Sequence, residues 1–212
     1  MRRMILPIVA AVALTACAPT ARDVVPLRYY DFGPQAAATP PKIAAVLQVA
    51  NVSAPEWLES TGIPYRAAYL DPKAVYSYVS ARWLAPPNAL LTTRLQVALG
   101  GSGGVVTSTD AIRAGCVLRV ALEDFSQTFD SAQSSRVAVR ARASLVANDG
   151  KALIAQQVFA SERPAVADAA GAVNALGASG DELVAGIVAW LAATFDVSTP
   201  QGQAAIKQCK AS

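Results

Sequence analysis

The clearest periodicity in this 212-residue chain lies in its second half. Leu118, Val120 and Leu122 alternate with Arg119, Ala121 and Glu123. Val137, Val139, Ala141, Ala143 and Leu145 then alternate with Arg140, Arg142 and Ser144. A period of two with one apolar set predicts strands that bury one face and wet the other. Asn148-Asp149-Gly150 reads as a tight hairpin turn that returns through Ala152 to Ser161. Three antiparallel strands result, with Arg140, Arg142 and Arg119 on the outer face. After Pro164 the period changes. Leu183, Ile187, Trp190 and Leu191 fall on one helical stripe that should pack on the sheet. Ser179 and Glu182 have capping-box spacing, so the helix either begins near Val166 and runs through Gly177 and Gly180 or is divided there. Thr199-Pro200 ends it, ahead of a polar tail.

The first half is less regular. Arg28 to Phe32 reads as a short strand, and Lys42 to Val52 as a strand apolar on both faces. Glu56 to Glu59 suits one helical turn. Ile63 to Tyr69 and Ala74 to Arg82 read as two strands around Asp71-Pro72. Val75, Ser77 and Val79 face one way in the second strand, and Tyr76, Tyr78 and Ser80 the other. Arg82-Trp83 leads into Pro86-Pro87 and a helix to Leu99, with Leu90, Leu91, Leu95 and Leu99 on its apolar face. Gly100 to Gly104 contains four glycines but precedes β-branched residues and no helix or lysine, so it reads as a loop, not a phosphate cradle. Together these elements predict a single α+β domain, a mostly antiparallel sheet with one mid-chain and one C-terminal helix packed on it.

Ahead of all this stand Arg2, Arg3 and an uncharged run from Met4 to Ala16. That is the charged and apolar order of a secretory signal, and thirteen residues fall short of the ~20 a spanning helix needs. Leu14-Thr15-Ala16-Cys17 resembles the lipobox of bacterial lipoproteins, where the cysteine takes a diacylglycerol and the leader is removed. Residues 1–16 are then the signal peptide, 17–27 a lipidated tether, 28–198 the folded domain and 199–212 the tail. The tether reaches about 33–36 Å at most, and several acyl chains hold a protein stably at a membrane where one does not. Ala18 after the cysteine, where an Asp would favour the inner membrane, favours the outer membrane by the same resemblance, with the domain in the periplasm.

Removing the leader takes away two arginines and leaves 16 Lys+Arg against 15 Asp+Glu in 196 residues. The sequence pI of 8.9 is thus partly the leader's, and a nucleic-acid reading has no basic surplus to rest on. The chain has no histidine. Ser-His-Asp and Cys-His nucleophiles and imidazole-dependent zinc sites are excluded. The acids are sparse: Glu56 and Glu59 suit a solvated helical face, and Glu123 and Asp124 point to opposite sides of a strand. The reading is not an enzyme, with no cofactor beyond the diacylglycerol and acyl chain on Cys17. Cys116 and Cys209 remain. In an oxidising compartment they can bridge, closing a loop of roughly 90 residues worth about 4 kcal/mol; otherwise Cys116 is a small buried hydrophobe and Cys209 a free thiol.

Tyr29-Tyr30, Val49 to Leu58 with Pro55, Ile63-Pro64-Tyr65-Arg66, Arg82-Trp83 with Pro86, Leu90, Leu95 and Leu99, and Val173-Asn174-Ala175-Leu176 with Trp190-Leu191 follow a recognisable order. That order resembles the auxiliary lipoproteins of ABC-type transport systems, the family that includes paraquat-inducible protein C. It departs at Glu59-Ser60, where the family would carry Asp-Arg. The resemblance implies an outer-membrane lipoprotein that partners an MCE-domain protein and an inner-membrane ABC transporter in moving lipid, as a docking or capping element, with some members forming homo-oligomeric rings. The alternative is a structural or assembly lipoprotein that chaperones or plugs an outer-membrane protein. Tyr76, Tyr78, Arg82 and Trp83 are the expected partner-binding residues, on an aromatic and cationic patch of the kind that marks interface cores.

Overall fold

A computed structural model describes residues 25–35, 39, 41–107, 110 and 112–210. The expected signal peptide, Cys17 and most of the expected tether lie outside these residues. The folded part is one α+β unit, an eight-stranded mixed sheet with three α-helices. Its spine is β6 (Cys116–Phe129), whose partners β7 (Ser135–Ala147) and β8 (Leu153–Ala165) continue antiparallel on one side. Alternation in these strands does what it predicts. Leu118, Val120 and Leu122 on β6 and Val137 to Leu145 on β7 bury every second residue, while Glu123 meets Arg140 at 2.9 Å and Arg142 at 3.6 Å on the wet face.

The other side of β6 is shared. Its start pairs in parallel with β2 (Leu47–Val49), its middle touches Ser53, and its end pairs in parallel with β3 (Gly62–Ala67). Beyond β2 lies β5 (Val105–Thr107), also parallel. Beyond β3 lies antiparallel β4 (Tyr76–Trp83), and beyond that β1 (Arg28–Tyr30), parallel to the end of β4. These parallel additions depart from the mostly antiparallel pattern of the long strands. The apolar stretch from Lys42 to Val52 contributes only three ladder residues. Ile43, Leu47, Val49 and Val52 are all buried, so the stretch is apolar because it lines the core, not because it is one long strand.

The 13-residue α1 (Pro87–Leu99) opens with proline at its first turn, where a missing N–H costs nothing. It buries Leu91, Leu95 and Leu99 as the stripe predicts. The 26-residue α2 (Ala169–Thr194) is a single helix through Gly177 and Gly180. The Ser179–Glu182 spacing does not cap it. Asp168 does, accepting from Gly171 N at 2.7 Å. Ser179 is buried mid-helix against Ser161, at 3.2 Å between hydroxyls, while Glu182 reaches out to Ser161 and Arg163. Helical glycines survive here because neighbours sit close. A Cβ on Gly186 would lie 3.1 Å from Phe159, and one on Gly180 3.4 Å from Phe32. The helix is long and apolar enough to cross a bilayer. Its stripe is spent on β7 and β8, with Leu176, Leu183, Ile187 and Leu191 buried, as in a core helix.

The tail is not merely polar. Thr199 caps α3 (Pro200–Gln208) by accepting from Gly202 N at 3.0 Å, and Cys209 follows it. Cys209 Sγ is bonded to Cys116 Sγ, so the last helix is tied to the first residue of β6 across 93 residues.

Candidate functional site: an aromatic shelf on the sheet

The core face of β6 is covered as far as Phe125, which is fully buried with Phe32 and Trp83 packed on it at ring distances of 5.7 and 5.8 Å. Past Gln127 the same face comes out towards solvent. Phe129, Tyr65 and Tyr78 are half-buried and Tyr76 is exposed. Pairing explains their assembly. Tyr65 stands directly opposite Tyr76 across β3–β4 and in register with Gln127 across β3–β6, and residues two apart on one strand share a face. The Tyr65 ring lies 5.5 Å from Tyr76, 4.8 Å from Tyr78 and 5.6 Å from Phe129. Tyr69, Leu70 and Val75 are exposed around the β3–β4 turn.

Gln127 holds the shelf to the core. It is fully buried, and all its valences visible here are used. Its amide donates to Ser135 Oγ at 2.8 Å and to the Val166 carbonyl at 3.0 Å, and its oxygen accepts from Tyr78 Oη at 2.5 Å. Burial is the main reason the Tyr78 phenol is pushed well above its ordinary pKa, with the Asp168 carboxylate adding to it. The phenol therefore stays a neutral donor. Stacked rings with one tethered hydroxyl offer rigid contact area at small entropic cost, the profile of a protein-binding surface.

The four residues expected to form a docking patch do not stay together. Tyr76 and Tyr78 are on the shelf. Trp83 is not a surface residue: it is fully buried, edge-on to Phe32 at 5.5 Å, because it sits beyond an irregularity that turns the end of β4 the other way. Between Pro64↔Ser77 and Gly62↔Arg82 the register slips by three residues. Proline, which has no N–H to donate, sits where the ladder breaks. The Arg82 guanidinium donates to the carbonyls of Tyr78 and Ala81, bracing that bulge. Two residues that sequence reasoning did not select, Tyr65 and Gln127, are central here. The signal for Gln127 was present. Leu122 to Phe125 is a step of three in an alternating strand, and the structure has a bulge there, which moves the inward phase onto Phe125, Gln127 and Phe129.

Elsewhere, two clefts open beside the disulfide, far along β6 from the shelf. One, about 490 Å³, is lined by Ile43, Val46, Gly104 and Ile206. The other, about 240 Å³, is lined by Arg113, Asn148, Asp149 and Lys210. Among the described residues no group of three or more acids and cysteines has a metal-holding arrangement. Arg119, Arg140 and Arg142 stand on the opposite, wet face of the sheet, the latter two paired to Glu123.

The sequence model of a family described as ABC-type transport auxiliary lipoprotein component matches residues 30–188. Protein XCC0632 from Xanthomonas campestris, of the DUF330 family, has a similar fold. Its TM-score is 0.68 at 22% identity, over 81% of this chain and 99% of that one. An uncharacterised protein follows at TM-score 0.59 and 19% identity, over 78% and 99%. A looser likeness, at TM-score 0.42 and 14% identity over 73% and 94%, is to a PelC dodecamer from Paraburkholderia phytofirmans. No protein of curated function matches the chain.

Proposed function

Since the chain belongs to the family of ABC-type transport auxiliary lipoproteins, we propose that it is a non-enzymatic accessory held by acyl chains on Cys17 at the outer membrane's periplasmic leaflet. In this reading it docks on an MCE-domain protein of a lipid-transporting ABC system. The observation that carries the docking role is the shelf of stacked rings of Tyr65, Tyr76, Tyr78 and Phe129, in which Tyr76 is exposed and the other three are half-buried. Its chemistry is contact, with a neutral phenol fixed by Gln127 and no reacting group.

The test is cross-linking in intact envelopes followed by mass spectrometry of what is captured. Recovery of an MCE-domain protein or of ABC transporter subunits, lost when Tyr65 and Tyr76 are both changed to alanine, supports the reading. Capture of an outer-membrane barrel alone sinks it and favours an assembly lipoprotein. Capture that is indifferent to the two tyrosines moves the docking surface elsewhere.

A further inference from the structure

A second apolar surface lies on the opposite side of the sheet's β1–β4 edge. Val25, Leu27, Tyr29 and Leu84 are all exposed, Leu84 and Val25 by about two thirds (65% and 68%). The register places Tyr29 beside Arg82 and Tyr30 beside Trp83, and Leu84 N donates to the Tyr30 carbonyl at 2.7 Å. Tyr30 and Trp83 turn to the core, so Tyr29, Arg82 and Leu84 turn outward. Extending the register by one step sets Leu27 beside Ser80 on the same outward face. The strip is therefore Leu27, Tyr29 and Leu84, with Val25 continuing it towards the N-terminus. The one acid of the segment, Asp31, turns its carboxylate back onto Gly33 N at 2.7 Å.

What lies against this strip is set by the chain that leads to it. Cys17 precedes Val25 by eight residues, which span at most about 26–29 Å when fully extended. An acylated Cys17 therefore keeps Val25 within that distance of the leaflet, and Val25–Tyr29 is the described segment nearest the anchor along the chain. Aliphatic side chains beside an amphipathic tyrosine suit the boundary between acyl chains and headgroups. We propose that Val25, Leu27, Tyr29 and Leu84 rest on the lipid leaflet that holds Cys17. The proposal rests on the reading that Cys17 is lipidated. It gives the domain an orientation: the strip faces the membrane, and the aromatic shelf, on the other face of β4, is turned into the periplasm where a protein partner can reach it.

The experiment uses the full lipidated chain in vesicles of phosphatidylethanolamine and phosphatidylglycerol, with mass spectrometry confirming the acyl adduct on Cys17. Leu84→Cys and, on exposed α1, Val97→Cys are labelled separately with an environment-sensitive nitrobenzoxadiazole dye, leaving the native disulfide intact. Lipids carrying a nitroxide on the acyl chain should quench the dye at position 84 several-fold more than at 97. Adding Leu27→Ser and Tyr29→Ser should bring the quenching at 84 down to the level at 97 without changing the melting temperature. Equal quenching at both positions, with Cys17 acylated, overturns the orientation and leaves the anchor and the docking reading standing. A dye at 84 that self-quenches on increasing protein density, and ignores nitroxide lipids, shows a second copy on the strip and overturns it too. Absence of acyl chains on Cys17 overturns both anchor and orientation.

Discussion

The two sides of β6 are built on different terms. On one side β7 and β8 run antiparallel for about their whole length under α2, and the inward side chains of β7 from Val137 to Leu145 are all apolar and buried. On the other, short parallel pieces dock end by end, and the sheet face runs out from under the helices as tyrosine and phenylalanine. Burial stabilises the first side, whereas the second leaves the same kind of apolar material at the surface, where it can be contacted. Gln127 is where the two meet, with its side chain bonded to Tyr78 on β4, to Ser135 on β7 and to the approach to α2.

The comparison can be broken most severely at the disulfide. Changing Cys116 and Cys209 together to alanine frees α3 and enlarges the unfolded ensemble. Over a 93-residue separation the expected loss is about 4–5 kcal/mol, read from urea midpoints with and without reductant on the parent protein. Next is the covered side itself: Phe125→Ala should cost about 3–5 kcal/mol, because Trp83 and Phe32 cannot collapse into the space. On the shelf, Tyr76→Ala should cost less than about 1 kcal/mol, the scale of a cross-strand pair, while abolishing partner capture in the envelope assay. If Tyr76→Ala destabilises as much as Phe125→Ala, the shelf is core and the contrast fails. Between them lies Gln127→Leu. It strands the Tyr78 hydroxyl, Ser135 and the Val166 carbonyl, for about 1–3 kcal/mol, and should loosen Tyr78 enough to weaken capture as well.

The smallest effect concerns pH. The Ser161 hydroxyl, and after it the Arg163 guanidinium, hold the Glu182 carboxyl below the ordinary carboxylate range. The unfolded chain then binds that proton more readily than the folded one. The stabilisation is complete above the ordinary carboxylate pKa and disappears as pH falls through the depressed value. Glu182→Gln should flatten that acidic limb of the stability curve by removing the contribution present at neutral pH, so the variant unfolds slightly more easily than the parent at pH 7 and matches it in acid. An acid limb identical to the parent's would show that Glu182 plays no part in binding α2 to β8.

Much of the covered side was legible in the residue pattern. Period-two alternation marked β6 and β7, Asn148-Asp149-Gly150 marked the hairpin that returns as β8, and the Leu183–Leu191 stripe marked the helix above them. Local rules suffice there because each strand pairs with its neighbour in sequence. Where partners come from far along the chain, the same rules ran out. Nothing local tells Leu47–Val49 to join Cys116–Leu118, or Tyr65–Ala67 to join Gln127–Phe129, in parallel. Ser179 has the spacing of a cap, yet tertiary packing buries it mid-helix and gives the capping role to Asp168. Trp83 has the composition of an interface residue, yet the bulge that Arg82 braces turns it into the core.

By itself the sequence determined which segments alternate, where helices carry an apolar stripe, and that no imidazole chemistry is available. It also supplied a lipobox-like cysteine ahead of a nearly neutral domain. Only the tertiary structure decided which aromatic side chains share a face, and that Gln127 anchors them. It also decided that Tyr29 and Leu84 emerge on the reverse side of the strand that carries Tyr76. The reason is geometric. A one-residue step in a strand exchanges its two faces, so the bulges at Glu123 and in β4, which depend on partners distant in sequence, choose what is core and what is surface.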